Sequence, residues 1–366
     1  MVNRLAALCL PGGQLFVDAV QNVWENGDAV LPIDQRLPKK SQQDLIRRMG
    51  ASLVVDRDGT TTLPGRPVES GDALVVATSG STGAPKGVVL THSALAANAL
   101  ATNEFLEVQA GLDKWLACLP LSHVGGFSVI VRALQAGIAL EVHDGFDAEL
   151  VTSAAREGVS LVSLVPTAMQ RIDASLFRKI LVGGSSVPVN RPANVIATYG
   201  MTETGSGVVY NGQALRGVEL RTVRGEIQIR CPMLFRCYRD GGEALTHDGW
   251  YPTGDSGEID SSGLLSVHGR VNEMIITGGE NVWPAAVERI LMKAPGVVEC
   301  AITGRSDPEW GEIVVAVVKP DKKVPTLESL RDFVREHLPA YCAPRSVEFV
   351  AELPKTSLGK VERHRL

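Results

Sequence analysis

The residues best suited to chemistry in this chain lie in a loop built from small and hydroxyl side chains. It reads Thr78-Ser-Gly-Ser-Thr-Gly-Ala-Pro-Lys86-Gly87 and follows the apolar run of residues 73–77. Three glycines and four hydroxyl residues cannot pack a core, but their N–H and hydroxyl groups can surround an anion, and Lys86 adds a positive charge. A plain turn between two strands stays open, because residues 88–90 could resume the sheet. The predicted phosphate ligands are Thr78, Ser79, Gly80, Ser81, Thr82, Gly83 and Lys86.

The loop differs from the common phosphate loop of nucleotide-binding proteins. The pattern G-x-x-x-x-G-K-[ST] needs glycine directly before the lysine and a hydroxyl directly after it. Here Pro85 precedes Lys86 and Gly87 follows it, and Pro85 would break a helix that began there. The order T-S-G-S-T-G-x-P-K-G instead resembles the nucleotide loop of the adenylate-forming superfamily, which includes acyl-CoA synthetases, luciferases and peptide-synthetase adenylation domains.

A second stretch, Tyr199-Gly-Met-Thr-Glu203, carries complementary chemistry. Tyr199 can stack on a purine, Thr202 can donate a hydrogen bond to a phosphate oxygen, and Glu203 can hold Mg²⁺ together with substrate phosphates. In isolation Glu203 is a surface carboxylate, but the block Y-G-x-T-E matches the superfamily motif, Gly200 included. The resemblance therefore implies that Thr202 and Glu203 act in catalysis, with Glu203 as the metal ligand.

Two further groups of residues are expected around the nucleotide. Gly183-Gly184-Ser185 follows the strand pattern of residues 180–182, where an open α/β sheet can let a flat ring approach the backbone. An ordinary tight turn is the alternative, and the resemblance implies that these three residues line the adenine. A carboxylate at the end of a turn suits the paired hydroxyls of a ribose, and Asp255 and Arg270 match the family residues that hold that sugar.

Four other positions gain a role through the resemblance. His123 lies between a strand and a glycine pair, and a structural histidine is the alternative to the implied wall of the acyl pocket. Lys360 matches the catalytic lysine of the family motif P-K-T-x-x-G-K, although two solvated lysines near a C-terminus would need no role. Gly278 and Gly279 match the segment that the family brings beside the pantetheine arm of CoA.

The elements that must position these residues alternate between helices and strands. Helical patterns at residues 14–26 and 42–49 alternate with strands at 29–33 and 52–55, which argues for a parallel sheet with crossover helices. We expect the α/β fold of the superfamily: a large N-terminal domain (1–269), a hinge (270–273) centred on Asn272, and a small C-terminal α+β lid (274–366). The segment around residues 24–38 lies well inside the large domain of the family, so this chain resembles a member shortened at its N-terminus. A homodimer partner is one way to cover that flank.

Bulk properties exclude several other classes. The net charge is 36 − 41 = −5, which gives no reason to expect a nucleic-acid partner. No apolar run reaches the roughly 18 residues that a membrane span needs. The cysteines form no C-x-x-C pairs, so neither a zinc site nor a disulfide framework is indicated, and a reducing cytoplasm fits best.

The resemblance, which covers residues 24–366, implies an acid–CoA ligase that uses ATP, Mg²⁺ and CoA to activate a carboxylic acid. The sequences of residues 120–126 and 278–284, together with the short length of the chain, look most like those of o-succinylbenzoate–CoA ligases of menaquinone synthesis. A fatty or aromatic acid–CoA ligase and an enzyme that loads a carrier protein stay open within this chemistry. A non-catalytic AMP-binding module is the alternative from another class, and the retention of Glu203 and Lys360 argues against it.

Overall fold

The computed structural model describes residues 3–79, 85–184, 187, 190–355 and 361–366. The chain divides into two compact units, one of Met1–Leu220 with Ile229–Tyr251 and the other of Arg221–Gln228 with Pro252–Leu366. The segment 270–273 lies inside the second unit, so the hinge at Asn272 stays a prediction. The expected α/β class, with a large N-terminal part and a smaller C-terminal part, is confirmed.

Eight α-helices and 23 strands order the described residues. The helices are α1 Gln14–Glu25, α2 Lys39–Met49, α3 His92–Phe105, α4 Val124–Ala136, α5 Ala148–Arg156, α6 Pro166–Met169, α7 Pro284–Leu291 and α8 Leu327–Arg335. The strands of the first half are β1 Leu5–Leu8, β2 Ala29–Pro32, β3 Leu53–Asp56, β4 Gly59–Thr62, β5 Asp72–Ser79, β6 Pro85–Thr91, β7 Lys114–Ala117, β8 Ala139–Val142, β9 Leu161–Leu164, β10 Lys179–Val182, β11 Val195–Met201 and β12 Ser206–Tyr210. The remaining strands are β13 Gln213–Ala214, β14 Glu219–Val223, β15 Glu226–Arg230, β16 Cys237–Tyr238, β17 Tyr251–Ile259, β18 Leu265–Arg270, β19 Ile275–Thr277, β20 Glu280–Val282, β21 Val297–Asp307, β22 Gly311–Pro320 and β23 Ser346–Phe349.

The first seven-stranded sheet has the order β16-β6-β5-β2-β1-β3-β4. Strand β1 pairs in parallel with β2 and β3, and β2 pairs in parallel with β5, as the β/α alternation predicts. Strands β5 and β6 instead form an antiparallel hairpin. The core strands are almost wholly apolar because both faces are covered, and Leu5, Leu31 and Leu74 are fully buried.

The second seven-stranded sheet has the order β13-β12-β11-β10-β9-β7-β8. Its centre is parallel, with β7 beside β8 and β9 and with β10 between β9 and β11, while β12 returns antiparallel to β11. The carboxyl end of β11 is therefore an edge to which several parallel strands deliver their following loops, which is where open sheets bind ligands.

The second unit contains a four-stranded sheet β14-β15-β17-β18 and a five-stranded sheet β20-β19-β22-β21 with β23 paired to β22. Helices α7 and α8 pack on the five-stranded sheet through Val287, Leu291, Leu330 and Val334, all nearly fully buried. Residues Thr326 and Ser329 form a reciprocal capping box that begins α8.

The cysteine and membrane predictions can be compared directly with the structure. All six thiols are free, which agrees with the lack of a predicted disulfide framework. Within the residues that the structure describes, no helix is long and apolar enough to cross a bilayer.

Candidate active site

The hairpin of β5 and β6 fixes both ends of the predicted phosphate loop. Thr78 and Lys86 are directly opposite each other in the antiparallel register, so the loop leaves and re-enters the sheet at one place. Of the predicted phosphate ligands, Gly80, Ser81, Thr82 and Gly83 lie outside the described residues, as does the Ser79 side chain. The plain-turn interpretation and the phosphate-loop interpretation thus share the same scaffold.

The Tyr199–Glu203 stretch is shaped by one tight approach and one short helical turn. A bulge interrupts the pairing of β11 with β12 between Tyr199 and Gly200. A Cβ on Gly200 would lie 2.2 Å from the carbonyl oxygen of Ser206, so only glycine fits there. The chain then enters a 3₁₀ turn, Thr202–Thr204, in which the Thr204 hydroxyl accepts a hydrogen bond from the Met201 N–H at 3.0 Å. This turn fixes Thr202 and Glu203 at the strand's carboxyl end.

Glu203 is held by a tyrosine that the sequence did not single out. The Tyr238 hydroxyl donates to Glu203 Oε1 at 2.9 Å, and the Phe235 N–H donates to the Glu203 carbonyl at 2.7 Å. Burial, reinforced by the Glu203 carboxylate, raises the pKa of Tyr238 to about 12, so the phenol stays protonated and remains a donor. The carboxylate is therefore oriented before any ligand arrives.

Lys86 contacts the same tyrosine. Its Nζ lies 5.0 Å from the centroid of the Tyr238 ring, a distance at which a cation and an aromatic face attract each other. One aromatic side chain thus links Lys86 of the phosphate loop with the predicted Mg²⁺ ligand Glu203. The signal in the sequence was weak, because Cys231 and Cys237 replace the glycines that usually mark the family's G-P-x-x-x-x-G-Y turn.

The surroundings of Glu203 fit Mg²⁺. Tyr238 donates to one carboxylate oxygen and leaves the other for a hard cation. In the described parts of the chain, no three His, Cys, Asp or Glu side chains lie close enough together to hold a metal ion. A single protein carboxylate such as Glu203 suits Mg²⁺, which usually takes one or two carboxylates and completes its shell with water and substrate phosphates.

His123 begins helix α4 as its N-cap residue, and its carbonyl accepts the N–H groups of Gly126 and Phe127. Burial lowers the pKa of His123, the nearby Arg36 lowers it further, and Asp34 partly opposes both. A neutral imidazole at a helix start is compatible with the predicted pocket wall. A role for His123 in the wall of the acyl pocket, as opposed to a purely structural role, stays a prediction.

Arg132, one of the residues that the sequence did not reveal, lies on α4 and is 2% exposed. Its Nη1 donates to Ser163 Oγ at 3.2 Å and its Nη2 to Ser206 Oγ at 2.8 Å, while its Nε finds no hydrogen-bond partner among the residues described. The described residues supply it with no carboxylate. Its guanidinium carbon also lies 5.7 Å from the centroid of the Trp115 ring, so hydroxyl groups and an aromatic face hold this charge inside the first unit.

The two glycines after β10 make close contacts of their own. A Cβ on Gly183 would lie 2.4 Å from Thr198 Oγ1, and Gly184 has a φ of +84°. Gly184 therefore needs glycine for its backbone conformation, and a side chain at Gly183 would displace the Thr198 hydroxyl; both features are compatible with the tight turn and with a flat ring lying against it. Ser185 lies outside the described residues.

The second unit carries the predicted ribose and lid residues. Asp255 and Arg270 face each other across β17 and β18, with Arg270 Nε 3.0 Å from Asp255 Oδ1. Gly278 and Gly279 form the turn between β19 and β20 with φ values of +59° and +84°, and Gly278 abuts the Trp310 ring. Lys355 pairs with Glu299 at 2.5 Å, and Lys360 lies outside the described residues.

Comparisons with known proteins match the chain to two family models and to several ligases. The family model described as "AMP-binding enzyme" matches residues 62–239, and the model of the AMP-binding enzyme C-terminal domain matches residues 286–360. A 2-succinylbenzoate–CoA ligase of Enterococcus faecalis is 33% identical over 334 residues, which is 80% of this chain and 68% of that protein. A probable 2-succinylbenzoate–CoA ligase of Mycobacterium tuberculosis is 37% identical over 334 residues, 82% of this chain and 85% of that protein.

The chain belongs to the AMP-binding enzyme family.

Other members of the AMP-binding enzyme family broaden the comparison. An indoleacetate–CoA ligase of Aromatoleum aromaticum is 36% identical over 335 residues, 79% of this chain and 66% of that protein. The Bacillus subtilis o-succinylbenzoate CoA synthetase with its acyl-adenylate intermediate has a TM-score of 0.89 at 25% identity, over 99% of this chain and 87% of that one. The same enzyme has been solved with ATP and a magnesium ion, at a TM-score of 0.88 and 26% identity, over 99% of this chain and 89% of that one.

Proposed function

We propose that this member of the AMP-binding enzyme family is an acid–CoA ligase whose preferred acid is o-succinylbenzoate. The reaction joins the acid to the α-phosphate of ATP with release of pyrophosphate, and then transfers the acyl group to the thiol of CoA with release of AMP. The observation that carries the proposal is the pre-oriented Glu203, which Tyr238 links to Lys86, on a chain whose relatives include several 2-succinylbenzoate–CoA ligases.

The first half-reaction brings two anions together. At about 4 Å and an effective dielectric constant near 20, each pair of unit negative charges repels by about 4 kcal/mol. Lys360 is proposed to lie between the carboxylate and the α-phosphate, a contribution of about 10²–10³ in rate for one such group. Thr202 is proposed to donate to the α-phosphate, and Lys86 to hold the outer phosphates.

Mg²⁺ held by Glu203 would neutralise charge on the departing pyrophosphate. The chain's own contribution is orientation, because Tyr238 holds one oxygen of Glu203 in place. The remaining nucleotide contacts are proposed in the same way: Tyr199, Gly200, Gly183, Gly184 and Ser185 around the adenine, and Asp255 with Arg270 on the ribose.

In the second half-reaction the CoA sulfur attacks the carbonyl carbon, the bond from that carbon to the bridging oxygen breaks, and AMP leaves with the oxygen. The lid is proposed to turn about Asn272, withdrawing Lys360 and placing Gly278 and Gly279 beside the pantetheine arm. Exclusion of water protects the acyl-adenylate from hydrolysis, and His123 is proposed as part of the pocket wall.

The choice of acid rests on the relatives that the chain matches, which include 2-succinylbenzoate–CoA ligases. o-Succinylbenzoate keeps a second, unactivated carboxylate, whereas indoleacetate has only the one that reacts. A mostly apolar pocket would discriminate weakly between acids that differ only in hydrocarbon.

The proposal also covers the cellular compartment and the partners of the protein. Six free thiols suit a reducing cytoplasm. The expected small-molecule partners are the acid, ATP and CoA, and a homodimer is proposed as the assembly.

The test is pyrophosphate release from ATP and Mg²⁺ across a panel of acids, with and without CoA. The panel contains o-succinylbenzoate, indoleacetate, benzoates, and short to long fatty acids. We expect o-succinylbenzoate to give the highest kcat/KM and CoA-dependent turnover. A higher value for a monocarboxylate would overturn the choice of acid, and pyrophosphate release without any thioester would point to a carrier-protein acceptor. No pyrophosphate release with any acid of the panel, while the protein still binds AMP, would favour a non-catalytic AMP-binding module.

A further inference from the structure

A small cationic pocket lies where the phosphate loop rejoins the sheet. It has a cavity volume of about 110 Å³, well below the roughly 300–1,000 Å³ of pockets for drug-sized ligands. Its charged lining consists of four cations and one carboxylate, although the whole chain carries a net charge of −5. The lining residues used below are Arg48, Arg66, Lys86, Gly87, Arg239 and Asp240.

Two of the arginines are fixed by backbone carbonyls instead of carboxylates. Arg239 donates from Nε to the Met49 carbonyl at 3.0 Å, from Nη1 to the Pro67 carbonyl at 2.8 Å and from Nη2 to the Arg66 carbonyl at 2.6 Å. Arg66 in turn donates from Nη1 to the Arg239 carbonyl at 3.1 Å. These bonds orient the guanidinium groups but leave their positive charge uncompensated.

The other two cations are Arg48 and Lys86. Arg48 is exposed on the last turn of α2, and Lys86 contacts the Tyr238 ring. Among the described residues, none of the four cations forms an ion pair with a carboxylate. Burial and then the neighbouring Arg66 lower the pKa of Arg239, and Asp72 partly opposes them.

Two glycines allow this crowding. A Cβ on Gly87 would lie 2.7 Å from Met49 Sδ and 2.9 Å from Arg239 Cβ, so β6 can pass the Arg239 stem only without a side chain. A Cβ on Gly50 would lie 2.9 Å from Arg66 Nε, and Gly50 ends α2 with a φ of +67°. The pocket is therefore shaped by backbone geometry that holds like charges together, and an anion would relieve their repulsion.

We propose that this pocket binds a phosphoryl anion, and specifically inorganic pyrophosphate as it leaves the phosphate loop. The proposal rests on the proposed ligase function, which produces pyrophosphate. Lys86 favours pyrophosphate as the occupant, because this one residue belongs both to the predicted phosphate loop and to the pocket lining. The phosphates of CoA share this chemistry and are separated from pyrophosphate by the test.

The test compares two neighbouring arginines of α2. Arg48→Ala removes a pocket cation whose side chain makes no hydrogen bond or ion pair with the described residues. Arg47→Ala removes an exposed cation of the same turn that pairs with Asp44 and does not line the pocket. The measurements are the inhibition constant of pyrophosphate against ATP, the KM values of ATP, CoA and dephospho-CoA, and the rise in melting temperature that pyrophosphate alone produces.

For Arg48→Ala we expect the inhibition constant of pyrophosphate to rise about twofold to fivefold, and more at low salt, as for one exposed ion pair. The melting-temperature rise with pyrophosphate should shrink, while the KM of ATP stays unchanged and Arg47→Ala behaves as wild type. Equal pyrophosphate inhibition in all three proteins would overturn the proposal. A higher KM for CoA but not for dephospho-CoA, with normal pyrophosphate inhibition, would assign the pocket to CoA instead.

The melting-temperature measurement separates this proposal from the ligase proposal. If the wild type turns over no acid, the ligase function fails, and a smaller pyrophosphate shift in Arg48→Ala than in Arg47→Ala would still support the pocket. If turnover is normal and the two variants show the same shift, the pocket proposal alone fails.

Discussion

Tyr238 shows how one side chain can organise charges contributed by distant parts of the sequence. Its hydroxyl bonds the carboxylate of Glu203, and its ring lies below the ammonium group of Lys86. Phe235 packs against the Tyr238 ring with centroids 4.7 Å apart, which fixes the ring's place. The tyrosine therefore separates two functions that substitution can test individually, since phenylalanine keeps the ring and removes only the hydroxyl.

Tyr238→Phe should raise the Mg²⁺ concentration needed for half-maximal pyrophosphate release. Loss of a hydrogen bond to a charged group costs about 1.5–3 kcal/mol, and only part of this would reach metal affinity, so we expect about a tenfold change. The KM of the acid should change little, because the ring and its packing remain.

The control for this prediction is Tyr251→Phe. The Tyr251 hydroxyl lies 3.3 Å from that of Tyr238, so its removal leaves the bond to Glu203 intact. Equal Mg²⁺ dependence of Tyr238→Phe and wild type would contradict a positioning role for Tyr238.

Some residues of the candidate site could be predicted from the sequence and others could not. Glu203 and Lys86 could be predicted because each lies in a continuous motif. Tyr238 and Arg132 could not, since their importance comes from partners 35 and 74 positions away, Glu203 and Ser206, which only the fold brings close. Neither contact leaves a periodic or spacing signal in the chain.

At the scale of elements, helix caps illustrate what local sequence does determine. Asp147 precedes α5, and its Oδ1 accepts the N–H groups of Glu149 at 2.9 Å and Leu150 at 3.0 Å. Thr91 caps α3 in the same manner by accepting the Ala94 N–H at 3.1 Å. These bonds satisfy amide groups that a helix start otherwise leaves unpaired.

Asp147→Ala should destabilise the first unit by about 1 kcal/mol because α5 loses its cap. For a unit of this size the melting temperature should fall by about 2–4 °C. Thermal unfolding followed by calorimetry checks this. Asp147→Asn retains a side-chain acceptor and should lose much less, so an equal loss in the two variants would show that the cap is not the cause.

Helix α4 was not predicted from the sequence. The glycine pair Gly125-Gly126 lies in its first turn, and in sequence it indicates a loop. The structure gives Gly126 a packing reason, because a Cβ there would lie 2.5 Å from the Pro120 carbonyl oxygen. By contrast, the strands that flank the phosphate loop follow their apolar runs closely, since residues 73–76 and 88–90 are all buried.

At the scale of the whole molecule, the proposed chemistry assigns different steps to the two units. Lys360→Ala should slow adenylate formation by about 10²–10³-fold yet still convert pre-formed acyl-adenylate and CoA to thioester at a normal rate, because the lysine acts only in the first step. The half-reactions are measured separately, by pyrophosphate exchange into ATP and by thioester formation from synthetic acyl-adenylate.

Lys355→Ala is the matched control for Lys360→Ala. Lys355 forms an ion pair with Glu299 on the lid and is not assigned to the chemistry. It should leave both half-reactions near wild type. An equal loss of both half-reactions in Lys360→Ala would refute its assignment to adenylation.

The central claim is that a carboxylate oxygen of the acid attacks the α-phosphate of ATP. The most direct measurement uses o-succinylbenzoate whose reacting carboxylate carries ¹⁸O, with ATP, Mg²⁺ and CoA, followed by mass spectrometry of the products. We predict one ¹⁸O atom in AMP for each thioester formed and none in pyrophosphate. Thioester formed with unlabelled AMP, or with label in inorganic phosphate, would contradict an acyl-adenylate route.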